Sequence, residues 1–323
     1  MTQVTATSLV EIAGLTDSGR LREMNEDHWA HQTLSSGELV MVADGMGGHR
    51  TGEIASSLAT EALLLGMQEL PGTPPETLPR AMQRSNFAVY QQSARRAESR
   101  GMGTTMTAVL IDGNAAVIGH VGDSRAYLVR GDTITQLTRD HSWVAEKVRQ
   151  GLITEAEARD HKWRNVITNA LGSRPQLRLD LFGVDLRDND LLLLCSDGLS
   201  NMLTDQQMLE LIRIEASTPL KALSQKLVDA ANEAGGPDNI SVVLVRVKRA
   251  TPRRKQYPLP LLGRDPAPAV EELPMDSKHT FVYDPAMPQG IVSAEPRRNQ
   301  TWLLLVLLVL YVVLVGLLLN VRR

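Results

Sequence analysis

The sequence holds one cysteine, Cys195, in 323 residues. That excludes a disulfide scaffold and any cysteine-ligated zinc site, and it suits a reducing compartment. Aromatic residues make up 4%, too few for stacked-base recognition, and a formal charge of −3 gives no general attraction to phosphate backbones, so no nucleic-acid partner is expected. No Walker-type loop occurs, which sets aside the nucleotide-hydrolysing class built on one. The N-terminal stretch has no basic segment followed by an apolar run, so no secretory signal is expected.

What is present is unevenly distributed. Residues 1–250 carry a net charge of −6 and residues 251–323 a net charge of +3. Nine of the sixteen prolines fall between residues 251 and 300, without a sustained apolar period. This composition reads as a Pro-rich disordered linker, assigned to 251–301. Residues 302–319 are eighteen consecutive apolar residues, about 27 Å as a helix and close to the hydrocarbon thickness of a bilayer. A transmembrane helix is therefore expected over 302–320, followed by a short basic tail at 321–323. Trp302 sits at its edge and arginines flank both sides. The expected placement is single-pass and tail-anchored, with the domain at 1–250 in the cytoplasm.

Within that domain, short β-type runs occupy 38–43, 106–111, 115–121, 126–130, 190–195 and 240–247. The three runs between residues 106 and 130, joined by Asp112-Gly113-Asn114 and by Gly122-Asp123, read as antiparallel hairpins. Helical spacing appears at Ile54, Leu58, Ala62 and Leu65, over 76–97, and twice between 205 and 234. An α+β sandwich with antiparallel sheets follows.

Aspartates recur beside glycine where these runs end: Asp44-Gly45, Gly122-Asp123, Asp197-Gly198 and Gly236-Pro237-Asp238. If the strands share an edge, the carboxylates converge and repel unless a cation neutralises them. All-oxygen ligands select a hard divalent ion, Mg²⁺ or Mn²⁺, over zinc. Arg22, Glu26 and Asp27 complete a set suited to phosphate-ester hydrolysis, because a guanidinium can fork onto phosphoryl oxygens while bound metal ions activate water.

The motifs TDSGRLREMNED, VADGMGGHRTGE, GMGTTMTAVLI, GHVGDSRAYLV, LTRDHS, LLLLCSDGLSNML and GGPDNISVVLV occur in that order. Through them the chain resembles the protein phosphatase 2C family of metal-dependent Ser/Thr phosphatases, in its compact bacterial form, over about residues 9–248. The resemblance implies a central antiparallel β-sandwich flanked by helices on both faces. It also implies a centre of two Mn²⁺ or Mg²⁺ ions, with a third, weaker one. Asp44 would bridge both ions, the Gly45 carbonyl would bind the first, and Asp197 and Asp238 would complete the second. Glu26 and Asp27 would act mainly through water, Asp123 with Asp197 would hold the third ion, and Arg22 would bind the phosphate. Water would attack phosphorus directly, without a phosphoenzyme.

Two positions depart from the family pattern. Met46 stands where the eukaryotic branch often has a histidine proposed as general acid, and a thioether donates no proton; metal-bound water or His49 is left for that role. Asn169 stands where arginine is common. The segment 141–165 resembles a flap beside the cleft, with Thr154 and Glu157 spaced as a capping box; its basic residues Lys147, Arg149, Lys162 and Arg164 are candidates for phosphopeptide contact. Expected partners are Ser/Thr-phosphorylated proteins, a Ser/Thr kinase of opposite function among them, and a membrane. A cysteine-dependent phosphatase is excluded, since six positions after Cys195 stands Asn201 instead of arginine. The competing reading is a catalytically inactive, membrane-tethered phosphoprotein-binding module, which should have lost metal ligands; none is missing here.

Overall fold

The computed structural model describes residues 9–47, 51–95, 99, 101–260, 281–283 and 291–293. Two antiparallel sheets form its centre. The first has the order β1 (Val10–Asp17), β11 (Ile240–Val247), β10 (Leu191–Cys195), β7 (Arg125–Arg130), β8 (Thr133–Gln136). The second has the order β2 (Asp27–Leu34), β3 (Gly37–Met46), β5 (Met106–Asp112), β6 (Ala115–Val121), β9 (Asp180–Asp185), with the two-residue β4 (Gly103–Thr104) paired to the end of β3.

Successive residues of a strand face opposite ways. One set, including Val40, Val42, Val109, Ile118, Leu192, Leu194, Val243 and Val245, meets between the sheets. The other set turns outward to helices. On the first sheet Leu193, Cys195 and Leu244 pack against Leu199, Met208 and Leu227 of α5 (Asp197–Ser200), α6 (Asp205–Ile214) and α7 (Leu220–Glu233). The second sheet is covered by α1 (Thr51–Glu69) and α2 (Pro74–Arg95). Gly119 of β6 lacks a side chain where Met82 of α2 comes down, so the helix can approach the strand. The expected layered α+β sandwich is the one observed. To one side lie α3 (Trp143–Arg149) and α4 (Glu155–Arg159), the latter opened by the expected capping box: Thr154 Oγ1 accepts from Glu157 N–H at 3.2 Å and Glu157 Oε2 accepts from Thr154 N–H at 2.7 Å.

The structure corrects two expectations. Only the first of the two expected hairpins forms: β5 and β6 pair across Asp112-Gly113-Asn114, but β6 and β7 lie in different sheets. Gly122-Asp123 is thus a crossover between sheets, with Gly122 at φ +106, a conformation that favours glycine. Nor does the chain leave the domain at residue 250. Residues 251–260 run on across it: Tyr257 is 7% exposed and donates to Asp112, Arg253 pairs with Asp185, and Gly183 N–H of β9 donates to Pro260 O. Arg246 and Lys248 likewise pair with Glu11, so the basic residues around 246–255 are largely engaged within the fold.

A second unit, residues 274–323, is described only through an antiparallel pair, β12 (Phe281–Tyr283) with β13 (Ile291–Ser293), inside the stretch expected to lack structure. Both are short β-branched and aromatic runs, which favour pairing. The expected span at 302–320, the tail at 321–323 and His49 lie outside the described residues. Among the described residues no helix is long and apolar enough to cross a membrane.

Candidate active site

The acidic residues gather because antiparallel neighbours bring strand ends of opposite direction together. Asp27, opening β2, is the register partner of Asp44, near the end of β3. Cys195 ends β10 opposite Val242 near the start of β11, which places Asp197 just past one strand and Asp238 just before the other. The crossover carrying Asp123 comes to the same end, where Asp123 lies within electrostatic reach of both Asp44 and Asp197. Arg22 Nη2 donates to Asp238 Oδ2 at 2.8 Å while its side chain stays 49% exposed, open to an incoming anion. All eight expected residues, Arg22, Glu26, Asp27, Asp44, Gly45, Asp123, Asp197 and Asp238, therefore share one end of the sandwich.

Electrostatics record the crowding. Burial raises the Asp27 carboxyl to about 7, with repulsion from Asp197 and Asp238 adding to it, against hydrogen bonds from Ser196 and Ser241. Burial and then the charges of Asp27, Asp197, Asp123 and Asp238 hold Asp44 well above the usual carboxylate range. Burial and Asp197 do the same to Asp123. Asp197 is raised to about 6 by burial and Asp238, although it shares a hydrogen bond with Asp44. Glu26 is raised by burial, against the pull of the Gly52 amide and Arg22. Burial opposes the Arg22 charge, but the bond to Asp238 and the charges of Asp238, Glu26 and Asp44 outweigh it and raise its pKa.

Three of these side chains keep a buried oxygen without a hydrogen-bond partner: Glu26 Oε1, Asp27 Oδ1 and Asp123 Oδ1. Unpaired buried acceptors among like charges are costly, and a hard cation satisfies both deficits at once. Among the described residues no group of three or more His, Cys, Asp or Glu side chains is already arranged to hold a metal ion. The donor set nevertheless fits a divalent one, being all oxygen, several times negative and short of protons to accept.

The supports around this cluster escape a search for ligands. Ser196 Oγ donates to Asp27 Oδ2 at 2.7 Å and accepts from Ser241 N–H at 2.9 Å. Thr105 Oγ1 accepts from Asp44 N–H at 2.9 Å, and Thr104 Oγ1 donates to Asp44 O at 2.9 Å. Asn239 Oδ1 accepts from Glu26 N–H at 2.8 Å while its Nδ2 donates to Met24 O at 2.8 Å and Ser18 O at 3.1 Å, which clamps the loop bearing Arg22 and Glu26. Arg125 is locked bidentately on Asp140, at 2.7 and 3.0 Å; its charge still lowers Asp197 and Asp123. These residues stand in the same seven motifs; Ser196, Asn239 and Arg125 lie within two positions of the acidic residues, whereas Thr104, Thr105 and Asp140 had no signal beyond the motif itself. Gly45 is required sterically as well, since a Cβ there would strike the carbonyls of Gly52 and Glu26.

Other candidates are engaged elsewhere. Asn169 Nδ2 donates to Arg178 O at 2.8 Å and meets His141 Nδ1 at 3.1 Å, which ties down the start of the segment 141–165. In that segment, Lys147 and Lys162 lie over the rings of Trp143 and Trp163 at 5.5 and 4.8 Å, and Arg149 bonds Asp140 O. Burial pushes the Cys195 thiol up to about 12, which leaves it inert as a nucleophile.

Comparison with known proteins points to one family. A family model described as protein phosphatase 2C matches residues 20–238. The serine/threonine phosphatase Stp of Listeria innocua is 39% identical over 236 residues, 71% of this chain and 93% of that protein. The crystal structure of the Mycobacterium tuberculosis serine/threonine phosphatase PstP/Ppp superposes with a TM-score of 0.68 at 36% identity, covering 74% of this chain and 99% of that one. The catalytic domain of PstP in complex with two manganese ions gives a TM-score of 0.65 at 36% identity, over 73% and 97% of the two chains.

Proposed function

The chain belongs to the protein phosphatase 2C family, as a serine/threonine phosphatase, and from that membership we propose that it hydrolyses phosphoserine and phosphothreonine in proteins by direct attack of water on phosphorus. The observation that carries the reading is the cluster of Asp27, Asp44, Asp123, Asp197 and Asp238 with Arg22 at its open side. Asp44, the Gly45 carbonyl, Asp197 and Asp238 would hold two Mn²⁺ or Mg²⁺ ions, with Asp123 serving a third and Glu26 and Asp27 acting mainly through water. Such ions would supply positive charge for the phosphoryl oxygens and lower the pKa of the attacking water.

The chain's own residues do the rest. Arg22, anchored at one nitrogen by Asp238, turns its remaining N–H groups to the phosphoryl oxygens and fixes the substrate's orientation. Asn239 holds the loop that carries it, and Thr104 and Thr105 hold the backbone of Asp44, so the carboxylate stays aimed despite its neighbours. A covalent phosphoenzyme finds no support: Cys195 is buried and protonated, and the Ser196 hydroxyl is committed to Asp27.

In this reading the partners are Ser/Thr-phosphorylated proteins, and the activity opposes a Ser/Thr kinase. The apolar run at 302–319 would hold the cytoplasmic domain at a membrane. The test is hydrolysis of p-nitrophenyl phosphate and a phosphothreonine peptide by the purified protein, with Mn²⁺ or Mg²⁺ and with excess EDTA. Activity is expected only with the metal; full activity in EDTA would overturn the metal-dependent mechanism.

A further inference from the structure

Beside the carboxylate cluster lies a cavity of about 380 Å³ lined chiefly by Met46, Tyr90, Ala94, Met102, Gly103 and Ala170. It is built on the back of the segment that fixes Asp44. Thr104 holds the Asp44 carbonyl, while its neighbour Gly103 pairs with Met46 across the β3–β4 ladder. Gly103 keeps this floor open: a Cβ there would stand 2.9 Å from Leu171 O and 3.6 Å from Met46 Cγ. The serines on its rim are already spent, since Ser93 Oγ accepts from Gly101 N–H at 3.1 Å and Ser173 Oγ donates to Ala170 O at 2.7 Å. A guest therefore meets mainly two thioethers, a tyrosine ring and methyl groups, and methionine walls adapt to varied apolar shapes.

We propose that this cavity receives an apolar side chain of the phosphoprotein substrate, close in sequence to the phosphorylated residue. The inference rests on the phosphatase reading and adds to it a preference in the flanking sequence. Met46 lies two residues along β3 from Asp44, about 7 Å in an extended strand, the same step that separates a phosphorylated residue from its second neighbour in an extended peptide. An acidic side chain is disfavoured there, since no cation stands among the lining residues to pair with it. Position 46 would then serve this chain as an apolar wall where a histidine would bring a polar, titratable ring. Fully burying one Leu or Phe side chain is worth about ten- to a hundredfold in affinity; for a half-open cavity the lower end is expected.

The test uses phosphothreonine peptides of Ala and Gly in which one position at a time, from three residues before to three after, carries Leu, Phe or Glu. Their kcat/KM is measured on the full-length protein with Mn²⁺ and compared with that for p-nitrophenyl phosphate. At one position Leu or Phe should raise kcat/KM about tenfold over Ala, and Ala94→Phe, an exposed α2 position at the cavity mouth, should abolish that advantage. Ala94→Lys should shift the preference at the same position towards Glu, a gain that misfolding cannot produce. Equal rates across the set, or an apolar preference untouched by both variants, would overturn the proposal. Should the wild type hydrolyse no ester at all, the phosphatase reading fails on its own. Fluorescence anisotropy with the same peptides then decides the cavity: tighter binding of the Leu or Phe peptides, lost in Ala94→Phe, supports it, and equal binding overturns it.

Discussion

Replacing Asp27 by Asn should stabilise the protein without metal and weaken its response to metal, a reversal of sign that few buried substitutions show. Asp27 is 3% exposed, and burial pushes its carboxyl up to about 7 in the fold from an ordinary 3.8. Between those values the folded state holds the proton more tightly than the unfolded chain. Metal-free protein therefore loses stability as pH rises through that window, and the whole penalty is present above pH 7. Three pKa units correspond to about 4 kcal/mol as an upper bound. Asparagine carries no charge, keeps an oxygen for the Ser196 hydroxyl, and points its amide at neighbouring carboxylates. Refitting these bonds costs part of the gain, so the expected net is on the order of 1–2 kcal/mol, or about 3–8 °C in Tm for a domain of this size. The assay is differential scanning calorimetry of wild type and Asp27→Asn at pH 8 and pH 4, in EDTA and in millimolar MnCl₂. In EDTA the variant should melt higher at pH 8, and the gap should close towards pH 4, where wild-type Asp27 is already protonated. Adding Mn²⁺ should raise the wild type by more than the variant. A variant that melts below wild type in EDTA at pH 8, or a gap indifferent to pH, would refute the account of the cluster as mutual repulsion awaiting a cation.

Three further outcomes are expected. Arg22→Ala should chiefly raise KM for a phosphothreonine peptide, about tenfold, whereas Asp238→Ala should abolish turnover; steady-state kinetics that show the reverse pattern would exchange their roles. Ending the chain after residue 250 instead of 260, or substituting Tyr257→Ala in the full protein, should cost about 2–4 kcal/mol in urea denaturation, because a buried ring and its bond to Asp112 are lost; unchanged midpoints would show that the strap is incidental. Deleting residues 302–323 should move the protein from the membrane to the soluble fraction in cell fractionation while p-nitrophenyl phosphate turnover stays within about twofold, and a truncated form that still pellets would remove the anchor reading.

The amino-acid order alone determined the interior of both sheets and the residue types of the acidic cluster. The six β-runs legible in the sequence became β3, β5, β6, β7, β10 and β11, which are all central strands. Buried on both faces, such strands carry long apolar runs. Among the strands that were not legible, β1, β2, β8 and β9 are the four edges of the two central sheets. Half-solvated edges show broken alternation, as in DHWAHQTL, and Gly14 interrupts β1 because the Trp29 ring stands 2.5 Å from where its Cβ would be. The acidic residues of the cluster were legible too, since carboxylates beside glycine at strand ends are a local pattern. Tertiary structure decided what those residues face. Local turn chemistry at Gly122-Asp123 is equally compatible with a hairpin and a crossover, and only the packing of two sheets sends β7 into the other layer, bringing Asp123 to Asp197. The clamp of Asn239 on a loop more than two hundred residues earlier, the strap at 251–260, and the cavity behind Met46 are likewise contacts between distant segments. No window of neighbouring residues contains them, because they follow from strand register and layer packing, which exist only once the whole chain has closed.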